Sequence, residues 1–282
     1  MLCAMRIEFV KMQGLGNDFF VFDAPPAAPK AGLDITTLRA IADRRTGVGF
    51  DQALMIEAPR DATSRAFYRI FNADGTEVEQ CGNGVRCVAA HLYARAPQLG
   101  REFTLGSPGG AVRARVREDR NVSVEMGAPD FEPQSLPMRT RQAASVYALR
   151  IDDGEVEFGA VSVGNPHVVV EVPDVDAAPV ERVGAALGRH PEFPNRTNVG
   201  FMQIVSRGNI RLRVFERGVG ETRACGTGAC AAVAIGRSRG TLDATVQVNL
   251  PGGAAQVYWE GPGKTLWLTG PATTVFTGSI EI

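Results

Sequence analysis

Two cysteines occur in matching surroundings, Cys81-Gly82-Asn83-Gly84 and Cys225-Gly226-Thr227-Gly228. An apolar run follows each, residues 85–94 and 229–235, so the spacing predicts a thiol at the opening of a buried helix. Unsatisfied backbone N–H groups and the helix dipole at such a position favour an anion, and can lower a thiol pKa below its usual value of about 8.5. The glycines let backbone approach a ligand closely, and the N–H groups of Gly82, Asn83, Gly226 and Thr227 suit a carboxylate. Inverting a stereocentre by proton transfer needs a base on one face of the carbon and an acid on the other, and two such thiols supply both.

The other cysteines read differently. Cys87 and Cys230 fall inside the apolar runs, as core residues do, and Cys3 precedes the first expected strand. Five cysteines in a chain of this length do not suggest a disulfide framework, and no pair has Cys-x-x-Cys spacing, so no metal site is expected. A net charge of −1 leaves no basic excess for nucleic acid. Nowhere do eighteen apolar residues run together, and the start lacks a leader-like apolar segment, so no membrane partner and a cytoplasmic location are expected.

The elements that must position the thiols come in two sets. Residues 46–52 (TGVGFDQ) resemble residues 197–203 (TNVGFMQ) at an offset of 151, and the two Cys-Gly-x-Gly motifs follow at an offset of 144. Each motif cysteine lies ten residues after a phenylalanine, Phe71 or Phe215, that ends a strand-like run. Duplication is the reading. Strands are expected at residues 6–10, 19–22, 53–56 and 68–71, then at 168–172, 202–205 and 210–215. A polar hairpin at 117–121 joins runs 111–116 and 122–126. The fold class expected is α/β of the α+β type, with two pseudo-symmetric domains, each a β-barrel-like sheet wrapped around a central helix, and the active site in the cleft between them. The boundaries are 1–127, completed by the strand-like residues 272–282, and 128–271.

Residues 11–19 (KMQGLGNDF), 71–75 (FNADG) and 80–87 (QCGNGVRC), followed by 164–167 (GNPH), 198–201 (NVGF), 216–222 (ERGVGET) and 224–228 (ACGTG), resemble the diaminopimelate epimerase family from Met5 to about Ile282. The resemblance implies interconversion of L,L- and meso-diaminopimelate without pyridoxal phosphate or metal, in lysine and peptidoglycan precursor synthesis, by a homodimer. It makes Cys81 and Cys225 the acid/base pair, with Gly82, Asn83, Gly226 and Thr227 on the reacting α-carboxylate. It assigns Asn17, Gln52, Asn72, Asn165, Asn198, Glu216 and Arg217 to the substrate, and His167 and Glu216 to adjusting thiol protonation, without saying which serves which thiol. A distal ammonium wants a carboxylate and a distal carboxylate a guanidinium fork, which suits Glu216 and Arg217.

Two rival readings stay open on the residues alone: a related two-cysteine racemase for proline-like or other small amino acids, and a thiol redox sensor or binding protein. Glu216-Arg217 and the asparagine set argue against the first, since such substrates lack a charged distal end. The chain departs from the family pattern at residues 1–4, an extension, and at Gln13, where histidine is frequent.

Overall fold

The computed structural model describes residues 5–25, 33–78, 81–152 and 154–282; Cys3, the extension at 1–4 and Gln80 lie outside them. The described residues divide into two compact units, one running to Val124 and resuming at Gly270–Ile282, the other Glu125–Thr269.

The first repeat contains β1 (Arg6–Gly14), β2 (Asn17–Asp23), α1 (Ile35–Ala42), β3 (Gln52–Glu57), β4 (Ser64–Asn72), β5 (Glu77–Val78), α2 (Gly82–Arg95), β6 (Glu102–Ser107), β7 (Gly110–Val116), β8 (Val122–Glu125) and β9 (Tyr147–Ile151). In the second repeat the same order returns as β10 (Gly154–Ser162), β11 (Pro166–Glu171), α3 (Val180–Gly188), β12 (Asn198–Ser206), β13 (Asn209–Glu216), β14 (Gly220–Thr222), α4 (Gly226–Ser238), β15 (Thr245–Leu250), β16 (Gly253–Tyr258), β17 (Trp267–Gly270) and β18 (Thr273–Glu281).

Parallel neighbours need a crossover, and each unit has two. In the first unit β2 runs parallel to β3 through α1, and β4 parallel to β6 through α2. In the second, β11 and β12 are joined through α3, and β13 and β15 through α4. The inner helices pack differently from the outer ones. α2 touches β1, β2, β3 and β7, and α4 touches β10, β11, β12, β13 and β16, so each sheet curls around its helix. The outer helix closes a second core on the other face: Leu38 and Ile41 of α1 pack with Phe20, Phe22, Ala53 and Met55. Both faces of β2 are therefore covered, which explains an uninterrupted buried run at Phe19–Phe22 where a half-exposed strand would alternate.

The last strand of each repeat joins the sheet of the other. β18 pairs antiparallel with β1 from Arg6↔Glu281 to Gln13↔Thr273, while β9 pairs with β10.

Two sequence expectations change. The resemblance between residues 46–52 and 197–203 is not the structural equivalence. Phe19 lies opposite Gln52 and His167 opposite Asn198, so Gln52 corresponds to Asn198 rather than Gln203. TGVGFDQ is a loop leading into β3, whereas NVGFMQ is already strand β12, and short Gly-containing segments match by composition. The expectation that residues 85–94 are buried all round also fails in part: α2 is buried over Gly82–Ala89, and its last turns reach solvent, where Arg95 pairs with Asp23 at 2.7 Å. The outer helices α1 and α3 had no counterpart in the sequence reading; α1 is capped by Asp34, whose side chain accepts from the Thr37 N–H.

Phe20 is fully buried, with ring centroids 4.7 Å from Phe9, 5.1 Å from Phe22 and 5.5 Å from Phe50. Phe20→Ala should cost about 3–5 kcal/mol of stability, read as a shift in the urea midpoint at constant slope; a loss within experimental error would mean the outer core does not hold this unit together.

Candidate active site

Cys81 and Cys225 are the N-cap residues of α2 and α4, each in extended backbone. The first intrahelical bonds are Val85 N–H to Cys81 O and Ala229 N–H to Cys225 O, so the amides of the preceding turn point past the helix end. Close packing holds these helix ends in place. A Cβ on Gly84 would lie 3.0 Å from Leu54 Cδ2, and one on Gly228 would lie 3.0 Å from Val214 Cγ2 and 3.3 Å from Cys225 Sγ. The second glycine of each motif thus lets the helix start seat against the strands.

Strand alternation then presents one row of residues to each helix start. In the first unit the row is Phe19, Gln52 and Asn72, in register across β2, β3 and β4. Gln52 Nε2 donates to Asn72 Oδ1 at 3.0 Å, and Gln52 Oε1 is a buried acceptor without a hydrogen-bond partner among the described residues. Asn17, at the start of β2, accepts from the Cys81 thiol at 3.8 Å and from Asn83 Nδ2 at 3.5 Å through Oδ1.

In the second unit the row is His167, Asn198 and, one residue beyond the Val199↔Phe215 pair, Glu216. The two rows differ in chemistry: Phe19 and Asn72 stand where His167 and Glu216 stand. His167 is fully buried, and its Nε2 lies 3.0 Å from both Asn165 Oδ1 and Thr227 Oγ1 and 3.4 Å from Asn198 Nδ2. Burial first, and the Arg217 charge second, push its pKa down to about 3, so the imidazole is neutral near neutral pH. A neutral ring with Nε2 against the Asn165 carbonyl carries its proton there, leaving Nδ1 as an acceptor, and Nδ1 is buried with no hydrogen-bond partner among the described residues.

Cys225 is 4% exposed, and its sulfur accepts from the Gly228 N–H at 3.3 Å and lies 3.5 Å from Thr227 Oγ1. Burial, and next the Glu216 carboxylate, raise this thiol well above its ordinary range, outweighing the Thr227 and Gly228 contacts that lower it. Burial likewise raises Glu216, whose Oε1 accepts from the Thr222 hydroxyl. Thr222 was not singled out from the sequence. Asn198 Oδ1 accepts from the Arg217 backbone N–H at 2.9 Å, but the exposed Arg217 guanidinium turns to the Asn195 carbonyl at 3.2 Å. Cys87 and Cys230 are fully buried core residues, and burial pushes the Cys87 thiol up to about 12.

The structure therefore groups the residues singled out from the sequence by unit: Asn17, Cys81 and Asn83, with the Gln52–Asn72 pair, in the first, and Asn165, His167, Asn198, Glu216, Cys225 and Thr227 in the second. Among the described residues no cluster of three or more His, Cys, Asp or Glu could hold a metal, and no helix is long and apolar enough to cross a membrane. If Glu216 raises Cys225, then Glu216→Gln in a Cys81→Ala background should speed iodoacetamide alkylation of Cys225 at fixed pH, roughly tenfold per unit by which the thiol falls. Unchanged or slower alkylation would remove the carboxylate from this role.

The diaminopimelate epimerase family model matches residues 9–132 and 159–275. The chain is 51% identical to the diaminopimelate epimerase of Nitrosomonas europaea, covering 99% of this chain and 100% of that one. It is 50% identical to that of Halorhodospira halophila, over 98% and 96% of the two chains. Among solved structures, a hydroxyproline epimerase from Agrobacterium vitis with bound trans-4-hydroxy-L-proline superposes with a TM-score of 0.70 at 17% identity, covering 98% of this chain and 93% of that one. A phenazine biosynthesis protein of the PhzF family from Bacillus anthracis superposes with a TM-score of 0.67 at 18% identity, over 99% and 100%. At those identities the likeness speaks to the fold, which is the two-fold repeated, sheet-around-helix fold described above. The family match and the near-full-length relatives place this chain in the diaminopimelate epimerase family, whose members are isomerases.

Proposed function

We propose that this protein interconverts L,L- and meso-diaminopimelate by proton transfer between substrate and two thiols, with no cofactor, as part of lysine and peptidoglycan precursor synthesis in the cytoplasm. The observation that carries the reading is the repeated helix start: each repeat presents a cysteine at a helix N-cap, followed by a glycine-bearing turn whose amides point outward. One sulfur, as thiolate, takes the α-proton; the electron pair left on carbon is delocalised into the α-carboxylate; the other sulfur delivers its proton to the opposite face. Charge balances at each step, since one thiolate becomes a thiol while the other thiol becomes a thiolate. Amides of Gly82, Asn83, Gly226 and Thr227 serve as donors to the carboxylate as negative charge builds on it.

The remaining polar groups divide between the two ends of the substrate. Asn17 and Asn165 serve the reacting end beside Cys81 and Thr227, whereas at the distal end Glu216 and the Gln52 Oε1 acceptor suit an ammonium, Arg217 suits a carboxylate once it leaves Asn195, and Asn72 and Asn198 supply directed hydrogen bonds. A proline-like substrate uses none of the distal groups. His167 acts through Asn165 and Thr227, holding the second helix start in place.

The test is α-proton exchange in D₂O with L,L-diaminopimelate under reducing conditions, comparing wild type with Cys81→Ala and Cys225→Ala. Deuterium incorporation with epimerisation, lost in either variant by at least about a thousandfold, is expected. No exchange in the wild type would transfer attention to proline-type substrates and then to a redox role.

We propose that the chain forms a homodimer and that β18 is a surface suited to it: it pairs along β1 and exposes Val275 and Phe276, 56% and 46%. Phe276→Lys with Val275→Lys should convert a dimeric species to monomer in light scattering; persistence of the dimer would place the interface elsewhere.

A further inference from the structure

Asn17 touches both the Cys81 thiol and Asn83 through one atom, Oδ1, so the direction in which its amide points matters. An asparagine can present either C=O or NH₂ to a neighbour, and the partner on its other side decides. Here that partner is Asp51, whose Oδ2 accepts from Asn17 Nδ2 at 2.9 Å and from the Asp18 N–H at 3.1 Å. A carboxylate only accepts, so the NH₂ end must face it.

Asp51 is itself held. Arg44 Nη2 donates to Asp51 Oδ1 at 2.7 Å, and the same guanidinium makes a fork on Asp18 at 2.8 and 2.9 Å. The Asp51 N–H donates to Asp18 Oδ1 at 2.9 Å. Beneath them Lys11, with its side chain 8% exposed, pairs with Asp18 at 2.7 Å and donates to the Gly49 carbonyl. Burial alone raises the Asp18 carboxyl, but the hydrogen bonds from Arg44 and Lys11 hold it well below the usual carboxylate range. An isolated surface pair positions little, whereas this chain of alternating charges is rooted in a buried lysine.

We propose that Asp51 is a positioning residue that locks the Asn17 amide with its carbonyl oxygen toward Cys81, while Arg44, Asp18 and Lys11 keep the Asp51 carboxylate in place. A carbonyl facing sulfur accepts from S–H and disfavours S⁻, so the lock biases Cys81 toward the protonated, proton-donating form. The second unit is built differently: Asn165 turns its NH₂ to Thr227, the counterpart of Asn83, at 3.5 Å, and its carbonyl to His167. Cys225 accepts the Gly228 N–H and no asparagine amide, and burial together with Glu216 raises its thiol, so the amide lock belongs to Cys81 among the described residues. This rests on the two-thiol reading only in making Cys81 a reacting group.

The experiment is the pH dependence of iodoacetamide alkylation of Cys81, followed by peptide mass spectrometry from about pH 6 to about pH 10, across the ordinary thiol range. It compares Cys225→Ala with the same protein carrying Asp51→Asn or Arg44→Gln. Of the other groups near Cys81, burial raises Tyr68 on β4 and Cys87 on α2, so both stay protonated through that range. Without the carboxylate the amide is free to turn NH₂ toward sulfur. The Asp51→Asn profile should move to lower pH, with alkylation at neutral pH about threefold faster or more, as half a pKa unit gives. Arg44→Gln, at a side chain 57% exposed, should move the same way by less, and it carries the test if Asp51→Asn does not fold. Superimposable profiles in folded variants would overturn the proposal. The profile needs no substrate, so failure of diaminopimelate to protect wild-type Cys81 would count against the two-thiol reading separately.

Discussion

The seating of each inner helix against the strands around it is the constraint on which the rest depends. A helix can carry a reactive thiol at its N-cap only if its first turn reaches the row of strand residues that work with that thiol. Here the approach is close enough that a methyl group on Gly84 or Gly228 would press on Leu54 or Val214. The side chain missing at those two positions is what lets backbone amides, sulfur and strand side chains share one small volume.

From that seating follow the uses to which the duplication is put. Both units share the same crossovers, yet the residues in register before each helix start are Phe19, Gln52 and Asn72 in one and His167, Asn198 and Glu216 in the other. A symmetric scaffold thus carries two electrostatically unequal thiols. Cys225 sits in a buried pocket beside a carboxylate, whereas Cys81 is less buried and faces an asparagine carbonyl. Unequal thiols suit a reaction in which one must give a proton while the other takes it.

Much of this was legible because period and spacing are local properties. The strand at residues 19–22, the apolar helices after the two motifs and the hairpin near 117–121 announce themselves by β-branched or apolar runs and turn residues. The outer helices were not legible: α1 is one short amphipathic segment of eight residues, and its apolar side is meaningful only once the sheet it covers exists. The repeat was visible but misaligned over TGVGFDQ, because a glycine-rich loop and a strand can share letters while differing in backbone. Burial of the last turns of α2 was overestimated, since an apolar composition does not say where a sheet ends.

By itself, then, the sequence determined the duplication, the two thiols and their glycine turns, the ordinary core cysteines and the family, because each is written in contiguous residues. Tertiary structure decided which side chains meet. His167 meets Thr227 and Glu216 meets Cys225 at the second helix start, and Lys11, Arg44 and Asp51 converge near Asn17 from separate segments. Those encounters depend on strand register and on the facing direction of alternate residues, which are settled only when two parallel crossovers wrap a sheet around a helix, so no spacing along the chain could have announced them.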